Sequence, residues 1–335
     1  MPTALAPVLA EFLGGAAASL VASHLLTSRL ERLGGRFSLS EALLGLVTAL
    51  AADSPEITSS VSAMQSGRHT IGISVVLGSN VFNIAALLGL GAIVAGRVHL
   101  HRDVVALEGI VAAAVAAVAV AVAAEALPAT VGLGLCLLVV AGYALAIGLG
   151  SRRLRRAPLP RKVVAFLDEA ACDECLEIGP PETAPAGTPA WQDGGLAALA
   201  LVVVVVASVL MERTGVSLGA RAHLPAVVTG GLVLAAVTSL PNAVAAVYLA
   251  RRGRGAAVLS EAMNSNALNV TAGLLVPGVL VGLGALGEQA VTVAAWYAGL
   301  TVAVLSVAFL FRGINRAVGV GIVAAYAVFV ALLLA

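Results

Sequence analysis

The chain has 335 residues, of which 60% are hydrophobic and only 11% are charged. Soluble domains usually carry roughly 25% charged residues, so this deficit, together with apolar runs of about 20 residues, indicates a polytopic membrane protein. The formal net charge is +1, which gives no reason to expect nucleic acid as a partner. The three cysteines provide no disulfide framework.

Ten long apolar segments follow one another along the chain, and each is predicted to be a helix that crosses the membrane. Their runs are long and continuous rather than short and alternating, which is typical of helices. Their approximate limits are 5–27, 39–64, 70–95, 103–124, 129–149, 194–212, 224–250, 256–284, 288–310 and 316–335. We therefore expect an all-α polytopic membrane protein with two five-helix repeats, at 1–150 and 194–335, joined by a hydrophilic loop at 151–193.

The lysines and arginines fall almost entirely on one side of this ten-helix arrangement. All but three of the 19 follow helices 1, 3, 5, 7 and 9, and the exceptions are Arg68, Arg213 and Arg221. Cytoplasmic loops of membrane proteins carry an excess of Lys and Arg. We therefore expect both termini outside, the 151–193 loop in the cytoplasm, and the protein in a prokaryotic plasma (inner) membrane.

Two polar segments inside the apolar sequence repeat each other. The first, GLVTALAADSPEI…LGSNVFN, runs from Gly45 to Asn83, and the second, GLVLAAVTSLPNA…MNSNALN, runs from Gly231 to Asn269, 186 positions later. In the predicted orientation the first copy enters the membrane from the cytoplasm and the second from outside. The copies are thus predicted to form an inverted-topology repeat, which is typical of secondary transporters that bind their substrate between the repeats.

Oxygen-bearing side chains gather around a proline in each copy. Pro55 and Pro241 each remove a backbone N–H and displace the carbonyl four residues earlier, so free backbone oxygens are expected beside the acids Asp53 and Glu56. Hard cations such as Na⁺ and Ca²⁺ prefer an all-oxygen shell of this kind. No His or Cys accompanies the group, which argues against zinc or copper. The other candidate ligands are Ser79, Asn83, Ser239, Asn242, Glu261, Ser265 and Asn269.

Two further asparagines, Asn80 and Asn266, lie beside these candidate ligands. Polar side chains inside membrane helices often serve only as hydrogen bonds between helices. We expect these two to cap or brace the broken helices.

The repeats resemble the alpha repeats of the calcium/cation antiporter superfamily, which includes the sodium/calcium exchangers. In that family one helix carries G-T-S-x-P-E, and the next carries G-S-N-x-F-N or G-S-N-x-F-D. Here GSNVFN at 78–83 matches fully, and ADSPE at 52–56, TSLPN at 238–242 and NSNALN at 264–269 match in part. The resemblance implies that transported Ca²⁺ and Na⁺ bind at Glu56, Ser79, Asn83, Thr238, Ser239, Ser265 and Asn269.

Several positions depart from the family pattern. Asn242 stands where the second glutamate is expected, Asp53 and Ala52 replace the serine and threonine of the first repeat, and Glu261 is an additional acid. An acid moved from helix 7 to helix 2 keeps two carboxylates near the centre, and Glu261 could supply a third. Divalent binding remains consistent with this set, whereas the usual ion selectivity of the family does not carry over.

The sequence predicts a secondary active cation antiporter in which Na⁺ influx drives export of Ca²⁺ or a related cation by alternating access. Helices 1 and 6 are expected to move across helices 2, 3, 7 and 8. Exchange coupled to H⁺ at the same site stays open, because a carboxylate among Asp53, Glu56 and Glu261 could take up a proton.

A passive channel and a membrane-embedded enzyme that uses Asp53 and Glu56 as acid and base are further alternatives. The chain lacks a His-rich or nucleotide-binding motif for an enzyme, and inverted repeats favour transport. No prosthetic group is expected. The expected partners are inorganic cations and the lipid bilayer, and the sequence does not indicate an oligomeric state.

Overall fold

The computed structural model describes residues 5–37, 47, 49–148, 160–167 and 189–335, and nearly all of them are helical. The first half contains α1 (Leu5–Arg36), α2 (Ser54–Gln65), α3 (His69–Ala95), α4 (Arg102–Ala123) and α5 (Ala129–Gly148). The second half contains α6 (Ala190–Arg221), α7 (Ala226–Thr238), α8 (Leu240–Arg251), α9 (Gly255–Leu268), α10 (Val276–Val281), α11 (Glu288–Phe311) and α12 (Arg316–Leu334). Most of the predicted loop 151–193 lies outside the described residues.

Within the described residues, seven helices are long and apolar enough to cross a membrane. The pair α7 and α8, bent by 48° at its break, brings the number to eight if it forms one span. The prediction of an all-helical polytopic membrane protein is therefore confirmed. The count of ten stays a prediction, because the predicted span 39–64 begins at residues outside the described part.

The helices α1 and α6 are both longer than predicted, with 32 residues each, and they pack along each other. Arg29 and Arg36, expected beyond the end of helix 1, lie in the last turns of α1. Their guanidinium groups contact the carboxylate of Asp193 in the first turn of α6, at 3.0 and 2.9 Å. These ion pairs join the end of α1 to the start of α6, and both helices continue past the predicted apolar segments.

Each repeat has a helix break two residues before its proline. Asp53 precedes α2 with φ −82° and ψ −2°, and Ser239 precedes α8 with φ −85° and ψ 0°. Proline is tolerated in the first turn of a helix but not in its interior, so Pro55 and Pro241 each begin a new helix. The two copies therefore break at equivalent positions with nearly the same backbone geometry.

The helix α3 is the most buried of the predicted spans, and it crosses α7 very closely. A Cβ atom on Gly78 of α3 would overlap the backbone of Gly231, so only glycine permits this approach. In the described part of the chain, three segments are wound as π-helix: Ile84–Leu90, Thr229–Leu234 and Asn269–Leu275. The first begins directly after Asn83 and the last at Asn269, and such π-helical turns often mark functional sites.

A small antiparallel sheet joins two loops. Its strands are β1 (Arg97–His99), after α3, and β2 (Gly313–Asn315), after α11, with Val98 opposite Ile314. Strands of three residues are too short to show an alternating sequence pattern, and the sequence did not predict them. Gly255 at the start of α9 fits against the backbone carbonyl of His99. The loops after α3 and α11 and the start of α9 therefore meet at one end of the molecule.

Candidate cation site

The helix breaks bring the predicted ligands together between α2, α3, α8 and α9. Glu56 and Asn242 lie in the first turns of α2 and α8, and the Ser-Asn-x-x-Asn clusters lie on α3 and across the end of α9. Nine of the ten predicted ligands are at most 2% exposed: Asp53, Glu56, Ser79, Asn83, Thr238, Ser239, Asn242, Ser265 and Asn269. The tenth, Glu261, is partly exposed.

Four asparagines connect the two repeats. Asn80 Nδ2 donates to the backbone carbonyl of Asn266 at 3.1 Å, and Asn266 Nδ2 donates to that of Asn80 at 3.2 Å. Asn83 Nδ2 donates to Asn266 Oδ1 at 3.1 Å, and Asn269 Nδ2 donates to Asn80 Oδ1 at 3.3 Å. Each bond has a counterpart in the other repeat. These interhelical bonds agree with the bracing role expected of Asn80 and Asn266, and such bonds contribute about 0.6 kcal/mol each on average.

A second group of hydrogen bonds surrounds Asp53. Its Oδ1 accepts from Ser265 Oγ at 2.6 Å and from Asn242 Nδ2 at 2.8 Å. Asn242 Nδ2 also approaches Ser265 Oγ at 3.2 Å, and Asn83 Nδ2 donates to the same hydroxyl at 3.1 Å. The acid that is new in the first repeat thus contacts the asparagine that replaces the second glutamate.

Several buried polar atoms in this region have no hydrogen-bond partner among the described residues. They are Asp53 Oδ2, Glu56 Oε1 and Oε2, Ser79 Oγ, Asn83 Oδ1, Ser239 Oγ, Asn242 Oδ1, Glu261 Oε2 and Asn269 Oδ1. Buried acceptors without donors are costly, and a hard cation satisfies several of them at once. This set of oxygens fits Na⁺ or Ca²⁺ as a transported ion.

The negative charge of the site comes from two neighbouring carboxylates rather than from a cluster of three or more. The carboxylates of Asp53 and Glu56 are close enough to repel each other, and Ser239 lies beside Glu56. Among the described residues no group of three or more His, Cys, Asp or Glu side chains converges. Glu261 is within electrostatic range of Asp53, but it does not join both acids in one cluster, so its role as a third ligand stays a prediction.

The backbone carbonyls near Pro55, which were expected to face a cation, accept hydrogen bonds from hydroxyl groups. The carbonyl of Ala51 accepts from Ser54 Oγ at 2.6 Å and from Ser23 Oγ at 3.2 Å, and Ser23 also reaches the carbonyl of Ala52 at 3.2 Å. Ser23 belongs to α1, so this contact connects α1 to the helix break at Asp53. In the second repeat Thr238 Oγ1 bonds back to carbonyls of its own helix, those of Leu234 and Ala235.

Two buried acids of the predicted apolar segments, Glu108 and Glu212, lie outside the predicted site and were not selected from the sequence. Glu212 of α6 is fully buried and pairs with Arg68. Glu108 of α4 is also fully buried and accepts from Tyr143 Oη at 2.6 Å and from Ser260 Oγ at 2.7 Å. A single acid inside a long apolar segment is itself a signal for a functional or structural role, and that signal was available for both.

The chain matches known proteins along most of its length. A family model described as sodium/calcium exchanger protein matches residues 8–149 and 194–335. CaxA of Alkalimonas amylolytica, a protein named as an antiporter, is 34% identical over 82 residues, which cover 24% of this chain and 26% of CaxA. The sodium/potassium/calcium exchanger Nckx30C of Drosophila melanogaster is 36% identical over 83 residues, which cover 25% of this chain and 9% of that protein. The matched stretches thus span only a minor part of these relatives.

Solved structures of two exchangers share the fold. The H⁺/Ca²⁺ exchanger CAX superposes with a TM-score of 0.74 at 15% identity, covering 96% of this chain and 81% of CAX. The sodium-calcium exchanger NCX_Mj superposes with a TM-score of 0.62 at 19% identity, covering 98% of this chain and 99% of NCX_Mj. The family model covers well over half of the chain, so the family is established by sequence as well as by fold. The chain belongs to the sodium/calcium exchanger family within the calcium/cation antiporter superfamily.

Proposed function

We propose that this protein is a secondary active antiporter in which Na⁺ influx drives export of Ca²⁺ or a related cation. The observation that carries the proposal is the buried group of oxygens between α2, α3, α8 and α9. Asp53 and Glu56 are both fully buried, and three of their four carboxylate oxygens have no hydrogen-bond partner among the described residues. A cation is the ligand that offsets the cost of burying two carboxylates in an apolar surrounding.

Within this proposal Glu56 and Asp53 are the central ligands. The other oxygens come from side chains of both repeats: Ser79, Asn83, Thr238, Ser239, Asn242, Glu261, Ser265 and Asn269. Carboxylate, amide and hydroxyl oxygens together form the shell that Na⁺ and Ca²⁺ prefer. The absence of His and Cys from this set favours these hard cations over zinc or copper.

Alternating access is proposed to occur by movement of α1 and α6 across the helices that hold the site. The close packing of α1 along α6, with a 2.9 Å contact between the hydroxyls of Ser19 and Ser208, supports their movement as one unit. The contact of Ser23 with the carbonyls of Ala51 and Ala52 places α1 beside the helix break. A shift of α1 would therefore be felt directly at Asp53.

The proposed topology has two inverted five-helix repeats, at 1–150 and 194–335, with both termini outside and the 151–193 loop in the cytoplasm. The family model matches the chain in two stretches that leave out 150–193, which supports this division. The pairing of β1 with β2 supports the ten-helix arrangement, because it requires the loops after α3 and α11 to lie on the same side. We propose a prokaryotic plasma membrane as the location.

Coupling to H⁺ is the second candidate at the same site. It is favoured by Asn242, which leaves the repeats with one glutamate after proline instead of two, and by the closeness of Asp53 and Glu56. Two neighbouring buried carboxylates can be neutralised by a proton and a monovalent cation as well as by one divalent cation. Exchangers named for either ion, Na⁺ or H⁺, have this fold.

Transport by purified protein in liposomes tests both candidates. Ca²⁺-loaded vesicles are given an inward Na⁺ gradient or an inward H⁺ gradient, and Ca²⁺ efflux is followed with an external indicator. We expect the Na⁺ gradient to drive efflux and the Glu56→Gln variant to abolish it. Glu288→Gln, which changes an exposed glutamate at the start of α11, is the matched control and should transport like the wild type.

The outcomes separate the candidates. Efflux that follows the H⁺ gradient without Na⁺ replaces Na⁺ coupling by H⁺ coupling. Flux that does not saturate and needs no counter-ion gradient indicates a channel. Undiminished flux in Glu56→Gln would show that the assignment of the site is wrong.

A further inference from the structure

The predicted ligands of the two repeats form two equivalent half-sites. Each residue of one half-site is 186 positions from a residue of the other, so a two-fold relation between the repeats exchanges them. The Glu56 half-site is Glu56, Ser79, Ser239 and Asn269, and the Asp53 half-site is Asn242, Ser265, Asp53 and Asn83, in the same order. The reciprocal bonds between Asn80 and Asn266 show that the surrounding helices keep this relation.

In the Asp53 half-site, hydrogen bonds occupy Asp53 Oδ1 and the Ser265 hydroxyl, whereas Asp53 Oδ2, Asn83 Oδ1 and Asn242 Oδ1 have no partner among the described residues. The Ser265 hydroxyl donates to Asp53 Oδ1 at 2.6 Å and accepts from Asn83 at 3.1 Å and from Asn242 at 3.2 Å. A hydroxyl has one proton and two lone pairs, so every position on Ser265 Oγ is used. A cation could bind this oxygen only by breaking one of these bonds.

The Glu56 half-site holds the equivalent positions without equivalent bonds. Both carboxylate oxygens of Glu56, the hydroxyls of Ser79 and Ser239 and the Oδ1 atom of Asn269 are buried and have no hydrogen-bond partner among the described residues. Two differences account for this: Glu56 has no N–H group to donate where its counterpart Asn242 has two, and Asn269 donates its amide to Asn80 Oδ1 rather than to Ser79. Its carboxylate lies beside the Ser239 hydroxyl, and a bound cation would offset the cost of burying its charge.

We propose that the transported cation is coordinated directly by the Glu56 half-site, and that the amide of Asn242 takes the place of a second cation in the Asp53 half-site. This inference rests on the proposed function of the site and narrows its ligand set, because Asp53, Asn83, Asn242 and Ser265 then lie beside the cation rather than coordinate it. Asp53 contributes its negative charge from a short distance, since its carboxylate is within electrostatic range of Glu56. The oxygens that select the cation are therefore those of Glu56, Ser79, Ser239 and Asn269.

The two serines give a matched pair of variants, Ser79→Ala and Ser265→Ala, in the full-length protein. Both residues are at most 1% exposed, both lose a single hydroxyl, and they occupy equivalent positions. Calorimetry measures the affinity for whichever of Ca²⁺ and Na⁺ the wild type binds. Thermal unfolding in a chelating buffer without Na⁺ measures the stability of the cation-free protein.

We expect Ser79→Ala to lower the affinity for the cation by about tenfold. The unfolding temperature of this variant without cation should stay near that of the wild type. Ser265→Ala should lower the unfolding temperature of the cation-free protein, because it removes three hydrogen bonds of that state. Its loss of cation affinity should be several-fold smaller than that of Ser79→Ala. If Ser265→Ala does not fold, Asn83→Ala removes a donor from the same half-site and takes its place in the comparison.

A loss of affinity in Ser265→Ala, or in the replacement Asn83→Ala, that equals or exceeds the loss in Ser79→Ala overturns this inference and leaves the antiporter proposal intact. A wild-type protein that binds neither cation and shows no gradient-driven flux overturns the proposed function, and the inference with it.

Discussion

A buried ion pair fixes α6 to the turn between α2 and α3, and its energy can be worked out from the contacts. Arg68 Nε donates to Glu212 Oε1 at 3.1 Å, and Arg68 Nη2 donates to Oε2 at 3.0 Å. Ser62 Oγ adds a bond to Oε2 at 3.2 Å. The glutamate side chain is fully buried, whereas that of Arg68 is 32% exposed.

Removing the arginine leaves a buried carboxylate without its cation. Breaking a fully buried pair in this way costs about 3–5 kcal/mol. Water reaches Arg68, and the charge of the neighbouring Arg213 also acts on Glu212, so both lower the cost here. We expect Arg68→Met to destabilise the protein by about 2–3 kcal/mol, which corresponds to a fall of roughly 3–6 °C in the unfolding temperature.

The double variant Arg68→Met/Glu212→Leu should recover most of this loss, because it removes the buried charge together with its partner. Thermal unfolding of the purified protein, in one detergent and at one lipid ratio, measures both variants. Arg251→Met, at an exposed arginine at the end of α8, is the control. The reasoning is refuted if the double variant is no more stable than Arg68→Met, or if Arg68→Met unfolds at the same temperature as the control Arg251→Met.

Two further predictions concern the site and the helix crossing beside it. In the liposome assay, Asp53→Ser and Asn242→Glu should each reduce Ca²⁺ flux at least tenfold, because each changes the number of carboxylates across one 2.8 Å contact. The double variant Asp53→Ser/Asn242→Glu restores the number of carboxylates, with the acid on the other helix, and should recover a large part of the flux. If flux does not recover, a carboxylate at position 242 cannot replace the carboxylate of Asp53. Gly78→Ala should prevent stable folding or cost at least about 3 kcal/mol, because its methyl group meets backbone atoms of α7. Gly299→Ala in α11 has open space around the added methyl group and should unfold near the wild-type temperature, so similar unfolding of both variants would count against the close crossing.

The sequence predicted the helix breaks and the polar contacts between the repeats better than it predicted the helix ends. The repeated prolines determine the breaks at Asp53 and Ser239, because proline removes one specific backbone donor wherever it occurs. The repeated asparagines likewise indicate a symmetric network, since a duplicated polar residue in a membrane helix needs a partner. Both features are local chemistry that repeats at a fixed offset, and a single chain is enough to recognise them.

Contacts between distant segments could not be read in the same way. The end of α1 is joined to the start of α6 by ion pairs of Arg29 and Arg36 with Asp193, which lies about 160 residues further along the chain. The hydrogen bonds of Ser23 with the carbonyls near Pro55 depend on how closely α1 approaches the break. Serine is common on packed membrane helices, so its residue type alone does not distinguish this contact from ordinary packing.

The burial of Asp53 and Glu56 bears on why the proposed cycle would be an exchange rather than a one-way leak. An ionised carboxylate that stays unpaired in an apolar interior costs several kcal/mol, and each such 1.4 kcal/mol lowers the population of that state tenfold. Three oxygens of these two acids have no hydrogen-bond partner among the described residues. A movement of α1 and α6 that closed the site around the bare acids would carry this full cost, whereas the same movement with a cation or protons bound would not. The site would therefore change sides only when loaded, and each cation released on one side would have to be replaced there before the return. Asn242 limits the charge that must be replaced, because its amide satisfies Asp53 Oδ1 in every state that keeps the 2.8 Å contact.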